Sequence, residues 1–162
     1  IDYICVYDFE CTCSNDDSVK MNSQEAIEYP IVLVDVRQKA IVSTFQTYVK
    51  PVLDPQLTPF CTELTGITQE QVDGGVHIAE AMVQAHAWLE QQGVFKHEFI
   101  FMSCGDFDGN HLKRESKAKN LTVPNYMKRW INFKKAFPIQ MFDQTKPALD
   151  FSLSTTIKKC KA

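Results

Sequence analysis

The sequence predicts one α/β domain in which helices pack against a sheet. Of its 162 residues, 44% are hydrophobic, which is enough for the core of one compact domain. Short runs of β-branched and aromatic residues come early in the chain, and apolar residues at helical spacing follow later. The resulting order, β-β-β-α-β-α, is typical of layered α/β folds.

Three extended segments open the chain. Residues 3–11 form an apolar run that predicts a strand. Residues 31–36 and 41–49 are β-branched runs that predict a hairpin, with a four-residue turn at residues 37–40. The polar, irregular stretch of residues 13–26 predicts a surface loop between the first strand and the hairpin.

Helices are predicted from capping residues and from apolar spacing. A short helix over residues 60–64 ends at Gly66, and Thr68 with Gln71 has the form of a capping box that begins another helix. Apolar residues at helical spacing predict an amphipathic helix over about residues 77–92. The remaining predicted elements are a buried strand over residues 99–102, a helix carrying Leu112, a helix after Pro124 and a last helix over residues 149–157.

Two carboxylates stand in the first apolar run. Asp8 and Glu10 lie two residues apart, so in a strand they share one face with Ile4 and Val6. Neighbouring carboxylates in an apolar setting repel each other and lose hydration unless they are protonated or bind a cation, and their oxygens suit Mg²⁺ or Mn²⁺. The pattern therefore predicts a divalent-metal site. The alternative is that both acids mark the strand end, where the chain returns to water.

Charge is distributed unevenly along the chain, although the net charge is only −3. Residues 1–112 contain 5 Lys/Arg and 17 Asp/Glu, whereas residues 113–162 contain 12 Lys/Arg and 3 Asp/Glu. An acidic part that binds cations and a basic part that binds phosphates are expected of a metal-dependent enzyme acting on nucleic acid. The alternative is that residues such as Lys113 and Lys117 only solvate a helix face.

The hydropathy pattern and the cysteines predict an intracellular protein, in the cytoplasm or nucleus, with no membrane association. No stretch approaches the roughly 20 apolar residues of a membrane span, and the first residues do not resemble a cleavable signal. The six cysteines are scattered, mostly in apolar runs, which predicts reduced core thiols. Cys11 and Cys13 offer one pair of zinc ligands, but no second pair follows at useful spacing.

Several motifs taken together resemble the DEDD exonuclease superfamily. They are Asp8-Phe9-Glu10 after an apolar strand, Leu64-Thr65-Gly66-Ile67 followed by Thr68, and Phe107-Asp108 at a later strand-to-helix junction. Within that superfamily, residues 2–13, 28–30, 64–72 and 130–135 resemble the 3′ to 5′ exoribonucleases of the enhancer-of-RNAi and histone-mRNA group. The resemblance covers about residues 1–145 in collinear order.

The resemblance implies an RNase H-like α/β fold with a mixed five-stranded sheet flanked by helices. It also implies two divalent ions, Mg²⁺ or Mn²⁺, held by carboxylates from separate motifs. Asp8 and Glu10 match the first motif and Asp108 the second, which makes them the predicted catalytic and metal-binding residues. Asp106 is a rival for the second position, although it also suits the N-cap of the following helix.

A pocket for the terminal nucleotide is a further implication of the resemblance. Its predicted substrate-binding residues are Phe9, Thr12, Leu64, Ile67 and Phe107. Phe107 stands where relatives commonly have tryptophan, and either ring offers a base a stacking face. For Leu64 and Ile67, plain core packing is the alternative.

The family's third motif is not found in this sequence. It supplies a histidine as general base and an aspartate five residues later, after the helix that resembles residues 149–157. None of the four histidines is followed by an aspartate at that distance. His111 is expected to be exposed on its helix, and the alternative is that it faces the same groove as Asp108, one turn earlier. Three explanations stay open: a longer natural protein that supplies the pair, a catalytically degenerate relative, or a site completed by another subunit. The first is favoured because desolvated acids destabilise a protein that binds no metal.

The sequence thus predicts a single exonuclease domain over residues 1–162 that lacks the C-terminal third motif. The predicted function is metal-dependent 3′-5′ exoribonuclease activity that trims single-stranded RNA 3′ ends and releases nucleoside 5′-monophosphates, with DNA as a second candidate substrate. Without the missing pair, hydrolysis is expected to be very weak at best. A degenerate module that binds RNA or protein is the first alternative, and an unrelated divalent-metal phosphoesterase is the second.

Overall fold

The computed structural model describes residues 1–136, so the predicted helix over residues 149–157 and Cys160 lie outside the described residues. The strands are β1 (Tyr3–Tyr7), β2 (Glu10–Cys11), β3 (Ala26–Asp35), β4 (Ala40–Tyr48), β5 (Phe99–Ser103) and β6 (Trp130–Asn132). The helices are α1 (Pro59–Thr65), α2 (Gln69–Asp73), α3 (Ile78–Gln91), α4 (Phe107–Ala118) and α5 (Phe133–Ala136), with 3₁₀ turns at Val94–Lys96 and Asn125–Met127.

The sheet is mixed. β3 is antiparallel to both β1 and β4, whereas β5 is parallel to both β1 and β6. β1 and β2 pair in succession with β3, with Tyr7 opposite Ile31 and Glu10 opposite Glu28. They therefore fill one position in the sheet, interrupted at residues 8 and 9, so that six strands fill five positions. The predicted mixed five-stranded sheet flanked by helices is confirmed, with its first strand divided in two.

The predicted hairpin is confirmed, but β3 begins earlier than expected, at Ala26. Ile27, Tyr29, Ile31 and Leu33 are all buried, which is the alternation of a strand with one face on the core. The upstream half of the strand therefore belongs to the sheet, and the irregular loop ends at residue 25 rather than 26.

Local signals place the short helices where the sequence predicts them. Gly66 ends α1 in the left-handed region at φ 75, a conformation that glycine adopts without steric cost. At the start of α2, the Thr68 side chain accepts from the Gln71 backbone, and the Gln71 side chain accepts from the Thr68 backbone. Both bonds of the predicted capping box are present, which is why two short helices form in succession.

The prediction of a helix after Pro124 is wrong. A 3₁₀ turn is followed there by β6, in which Trp130 pairs with Phe101 of β5. The Trp130 ring lies so close to Gly109 of α4 that a Cβ on the glycine would be 2.6 Å from it. The open edge of β5 and this close approach to α4 fix the segment as a strand, and neither is visible in the local apolar pattern.

The main core lies between the sheet and α3. It is built from buried residues of β1, β3 and β5 together with Ala81, Ala85 and Leu89 of α3. Among the described residues, the five cysteines form no disulfide with one another; Cys5, Cys11 and Cys61 are buried, and Cys13 and Cys104 are partly exposed. No helix within residues 1–136 is both long enough and apolar enough to cross a membrane.

Candidate active site

Asp8 and Asp108 lie at the same edge of the sheet. Asp8 follows β1, and Asp108 is the second residue of α4, which follows β5. Because β1 and β5 are parallel neighbours, their carboxyl ends meet at one edge, where open α/β sheets commonly bind ligands. Asp108 Oδ1 accepts a hydrogen bond of 2.8 Å from the Phe9 N–H. This bond ties the start of α4 to the interruption between β1 and β2.

Glu10 lies beside a further carboxylate that the sequence analysis did not assign to the site. Glu28 of β3 stands directly opposite Glu10 of β2, and its Oε1 accepts a 2.9 Å hydrogen bond from Gln46 Nε2. The alternation of Ile27 and Tyr29 into the core was the available signal, because it places Glu28 on the face opposite to theirs.

Burial raises the pKa of all three predicted catalytic acids. Burial and then the charge of Glu28 raise the pKa of Asp8 to about 6. Burial, followed by the charges of Asp8, Glu28 and Asp108, raises the pKa of Glu10 to about 7. Burial and the charge of Asp8 raise the pKa of Asp108 to about 7, although the hydrogen bond from Phe9 opposes the shift. Each of these acids therefore responds to the charge of a neighbouring carboxylate, which makes the group one electrostatic unit.

The carboxylate oxygens of this group are the ligand type that a hard divalent cation prefers. The carboxylates are desolvated and repel one another, and Lys134 is the positive residue whose charge opposes the raised pKa of Asp8. Across residues 1–136, however, no three His, Cys, Asp or Glu side chains are arranged to hold a metal ion as they stand. Asp8 and Glu10 are only partly buried, so both side chains are accessible from solvent.

Asp106 does not have the side-chain role that its position suggests. It occupies the N-cap position of α4, yet its side chain makes no capping hydrogen bond. Asp106 Oδ2 instead accepts a 2.6 Å hydrogen bond from Lys135 Nζ, and this contact lowers the pKa of the carboxyl. The N-cap interpretation of the side chain is therefore wrong, because α5 brings a lysine within reach.

The predicted substrate-binding residues differ in their exposure. Leu64 is 65% exposed and Phe107 is 46% exposed, whereas Phe9, Thr12 and Ile67 are buried. Thr12 Oγ1 accepts from the Glu25 N–H at 3.0 Å, and the Phe9 ring packs on Tyr29 with centroids 4.6 Å apart. Surface for direct contact with a nucleotide therefore lies on Leu64 and Phe107, and the assignment of all five as substrate-binding stays a prediction.

His111 is buried, not exposed as expected from the sequence. Its ring is 0% exposed, and Nδ1 lies 2.9 Å from Arg114 Nη2 while Nε2 lies 2.8 Å from Glu115 Oε2. A guanidinium can only donate, so Nδ1 accepts and Nε2 carries the proton that is donated to Glu115. A neutral imidazole with hydrogen bonds at both ring nitrogens belongs to the packing of α4. His111 is buried because it lies in the same buried stripe of the helix as Asp108 and Leu112.

A buried charged network holds α4 against β3 behind the acids, and the sequence analysis did not predict it. Lys119 Nζ lies 2.6 Å from Glu115 Oε1 and 2.6 Å from Glu25 Oε1. Glu115 Oε2 accepts from the Ala26 N–H at 3.0 Å, and Glu25 accepts from the backbone of residues 52–54. The network therefore fixes the helix that carries Asp108 to the strand that faces Glu10.

Comparison with known proteins assigns the family. The exonuclease family model RNase_T matches residues 5–158. The chain belongs to the exonuclease family. Human ERI1 exoribonuclease 3 is 42% identical over 142 residues, which are 86% of this chain and 41% of that protein. The chain thus spans about two fifths of the length of the curated relatives it matches.

Solved structures narrow the assignment within the exonuclease family. The nuclease domain of 3′hExo, a DEDDh family member bound to rAMP, is 34% identical with a TM-score of 0.78, covering 83% of this chain and 68% of that one. A 3′-exonuclease with 3′-end specific recognition of histone mRNA stem-loop is also 34% identical, with a TM-score of 0.78, covering 83% of this chain and 47% of that one. The predicted DEDDh 3′-5′ exoribonuclease group and RNase H-like fold are confirmed, and this family generally uses divalent metal ions.

Proposed function

We propose that this exonuclease-family protein is a 3′-5′ exoribonuclease. It hydrolyses single-stranded RNA from the 3′ end with two divalent ions, Mg²⁺ or Mn²⁺, and releases nucleoside 5′-monophosphates. The observation that carries the proposal is the group of desolvated carboxylates, Asp8, Glu10 and Asp108, at the carboxyl-end edge of β1 and β5. Their raised pKa values reflect burial first and repulsion by neighbouring carboxylates second, and a divalent cation would offset both.

The three acids would hold the cations. When bound, such ions activate water, clamp the scissile phosphate and stabilise the leaving 3′ oxygen. The Phe9 N–H donates to Asp108 Oδ1 and so orients this carboxylate. The three carboxyls would be ionised near neutral pH when they hold a cation, because its positive charge would lower the pKa of each.

The terminal nucleotide would contact the exposed apolar surfaces among the predicted substrate-binding residues. Phe107 at the start of α4 offers a ring face, and Leu64 near the end of α1 offers an aliphatic surface. Phe9, Thr12 and Ile67 are buried and would form the wall behind them. The proposal assigns no residue of this sequence as the general base or as the fourth acid of the family pattern.

RNA is proposed as the substrate because of the group to which the chain belongs. The names of two relatives point the same way, one as an exoribonuclease and the other through recognition of a histone mRNA stem-loop. DNA is the second candidate substrate, and an intracellular site of action, in the cytoplasm or nucleus, is part of the same proposal.

The test compares Asp8→Asn with Glu90→Gln, an exposed acid on α3 that serves as the charge-matched control. The protein at its natural length is incubated with 5′-labelled single-stranded RNA and Mn²⁺, and the products are resolved by length and by mononucleotide analysis. We expect 3′ shortening with release of 5′-monophosphates, reduced at least about 100-fold by Asp8→Asn, since removing a metal ligand forfeits about 2.7 kcal/mol or more. Equal trimming by both variants would reject the assignment of Asp8.

A degenerate RNA-binding module is the second candidate, favoured by the absence of a metal-ready cluster among residues 1–136. It predicts binding of the same RNA in EDTA with no shortening in Mn²⁺ or Mg²⁺. Hydrolysis of small phosphoesters without RNA trimming would favour an unrelated phosphoesterase instead.

A further inference from the structure

A shallow groove with a lysine rim lies beside α4, away from the acids. Its volume is about 510 Å³. The residues that line it are Lys113, Ser116, Lys117, Leu121, Val123 and Lys128. The floor is therefore apolar, and the charged side chains all carry the same sign.

The two faces of α4 have different roles. Asp108, Leu112 and Glu115 belong to its buried stripe, which faces the sheet. Lys113 and Lys117 are exposed on the other side, where the chain folds back after the helix. At 1.5 Å per residue, Lys113 lies about 8 Å and Lys117 about 14 Å further along the helix axis than Asp108. One helix therefore connects the candidate active site with the groove.

The lysines of the groove have no carboxylate partner within residues 1–136. Lys113 Nζ lies 4.4 Å from the centroid of the Trp130 ring, and Lys128 Nζ donates to the amide oxygen of Asn125 at 2.8 Å. Lys119 and Lys135, by contrast, are paired with acids. Residues 113–136 contain eight Lys/Arg and one Asp/Glu, and that acid, Glu115, is buried on the opposite face. The rim is thus a concentrated positive charge that its own surroundings leave uncompensated.

A polar group below the rim also lacks a partner. Ser116 is 1% exposed, and its Oγ has no hydrogen-bond partner among the described residues. Buried hydroxyls are normally hydrogen-bonded, and an unsatisfied one calls for an explanation. Ser116 also lines the groove, so an unsatisfied hydroxyl lies beside the lysines.

We propose that the groove binds the phosphodiester backbone of the RNA strand, upstream of the nucleotide at the acids. The inference rests on the proposed function for the identity of the strand, and on the groove itself for the charge. Lys113, Lys117 and Lys128 contact phosphates, while Leu121 and Val123 offer an apolar surface to sugars and bases. Because the lysines are exposed point charges, the contact is independent of sequence and sensitive to salt.

The experiment measures binding without turnover. A fluorescein-labelled oligouridylate is titrated with the full chain in EDTA, and the dissociation constant is obtained by anisotropy at several salt concentrations. The test variant is K113Q/K117Q/K128Q, and the control is K20Q/K39Q/K96Q, which removes the same charge at exposed positions elsewhere. For single strands, each neutralised phosphate contributes about −0.7 to the slope of log K against log salt. Removing three lysines should therefore make this slope about 2 less negative in the test variant, and the control variant should keep the wild-type slope.

The outcomes separate this inference from the proposed exonuclease activity. If wild type trims RNA but the test variant binds with an unchanged slope, the groove assignment is overturned and the enzyme assignment stands. If the wild-type protein does not shorten RNA but the slope of log K against log salt is still about 2 less negative in the test variant, the groove assignment is supported and the enzyme assignment fails. A parallel titration uses fluorescein-labelled polyglutamate: if the test variant loses binding of this peptide while its RNA binding is unchanged, the groove belongs to an acidic protein segment and the proposal is overturned. Equal effects of both variants on RNA binding would overturn it as well.

Discussion

Glu10 carries an electrostatic penalty that can be measured in the absence of metal. Burial and three neighbouring carboxylates raise its pKa to about 7 from an ordinary value of 4.5. The folded protein therefore binds more protons than the unfolded chain between those pH values, so the contribution of Glu10 to stability falls as pH rises through that window and stays unfavourable above it. A neutral side chain of the same shape removes the penalty.

Glu10→Gln should accordingly stabilise the protein in EDTA at pH 8 and have little effect at pH 4.5. A gain of about 2 kcal/mol, discounted for partial exposure, corresponds to a rise in Tm of roughly 4–8 °C. Thermal unfolding at both pH values measures it, with Glu90→Gln on the exposed face of α3 as the control. A destabilised Glu10→Gln variant at pH 8 would show that Glu10 makes a favourable contact instead.

Individual elements were predictable where the deciding forces are local. The capping box at Thr68 and the left-handed Gly66 each depend on residues within one turn, so sequence alone identified both helix ends. β6 and the burial of His111 depend on contacts across the fold, namely pairing with β5 and the bonds to Arg114 and Glu115. The same distinction applies to the candidate site: the apolar run around Asp8 and Glu10 and the family resemblance that adds Asp108 predict these acids, but the pairing of Glu28 with Glu10 requires the sheet register.

Lys119 makes α4 a fixed support for Asp108 by bridging Glu115 of the same helix and Glu25 near β3. Both carboxylates are nearly fully buried, so removing the cation leaves two charges close together without compensation. Lys119→Met should therefore destabilise the protein by roughly 2–4 kcal/mol at pH 7. Lys117→Met, two residues earlier and exposed, is the matched control.

Denaturant unfolding of the two lysine variants provides the measurement. The effect of Lys119→Met should shrink as pH falls below about 4.5. Burial opposes the shift, but hydrogen bonds from His111 and Lys119 lower the pKa of Glu115 from its ordinary value of 4.5, and protonation below that value removes the charge that the lysine balances. Two variants of equal stability at pH 7 would show that the network is solvated and contributes little to anchoring α4.

At the scale of the whole molecule, opposite charges are segregated along one helix. The N-terminal end of α4 meets the acidic edge of the sheet, and the remainder of the helix begins the basic part of the chain. The proposed nucleic-acid substrate would experience both, since cations held by the acids and lysines on the outer face would each attract phosphate. Net charge is low because the two parts nearly cancel, which conceals the polarity that serves the proposed function.

Divalent cations should stabilise the whole protein, and more strongly at high pH. A ligand that binds only the folded state adds RT ln(1 + [L]/Kd), or about 2.7 kcal/mol at 100 times Kd, which is roughly 5–11 °C in Tm. Protons compete for the same oxygens, because the pKa of Asp8 is about 6 and those of Glu10 and Asp108 are about 7. Melting in EDTA and in Mn²⁺ at pH 5 and pH 8 should show the larger gain at pH 8.

The same melting series with Asp8→Asn/Glu10→Gln identifies the acids as the source of that gain. Removing two of the carboxylates leaves too little negative charge for an ion, so the Mn²⁺-dependent rise in Tm should be lost while Glu90→Gln retains it. Because the readout is binding, it applies whether or not the protein turns over RNA. An Mn²⁺ gain that is equal at both pH values, or that persists in the double variant, would place the cation elsewhere on the molecule.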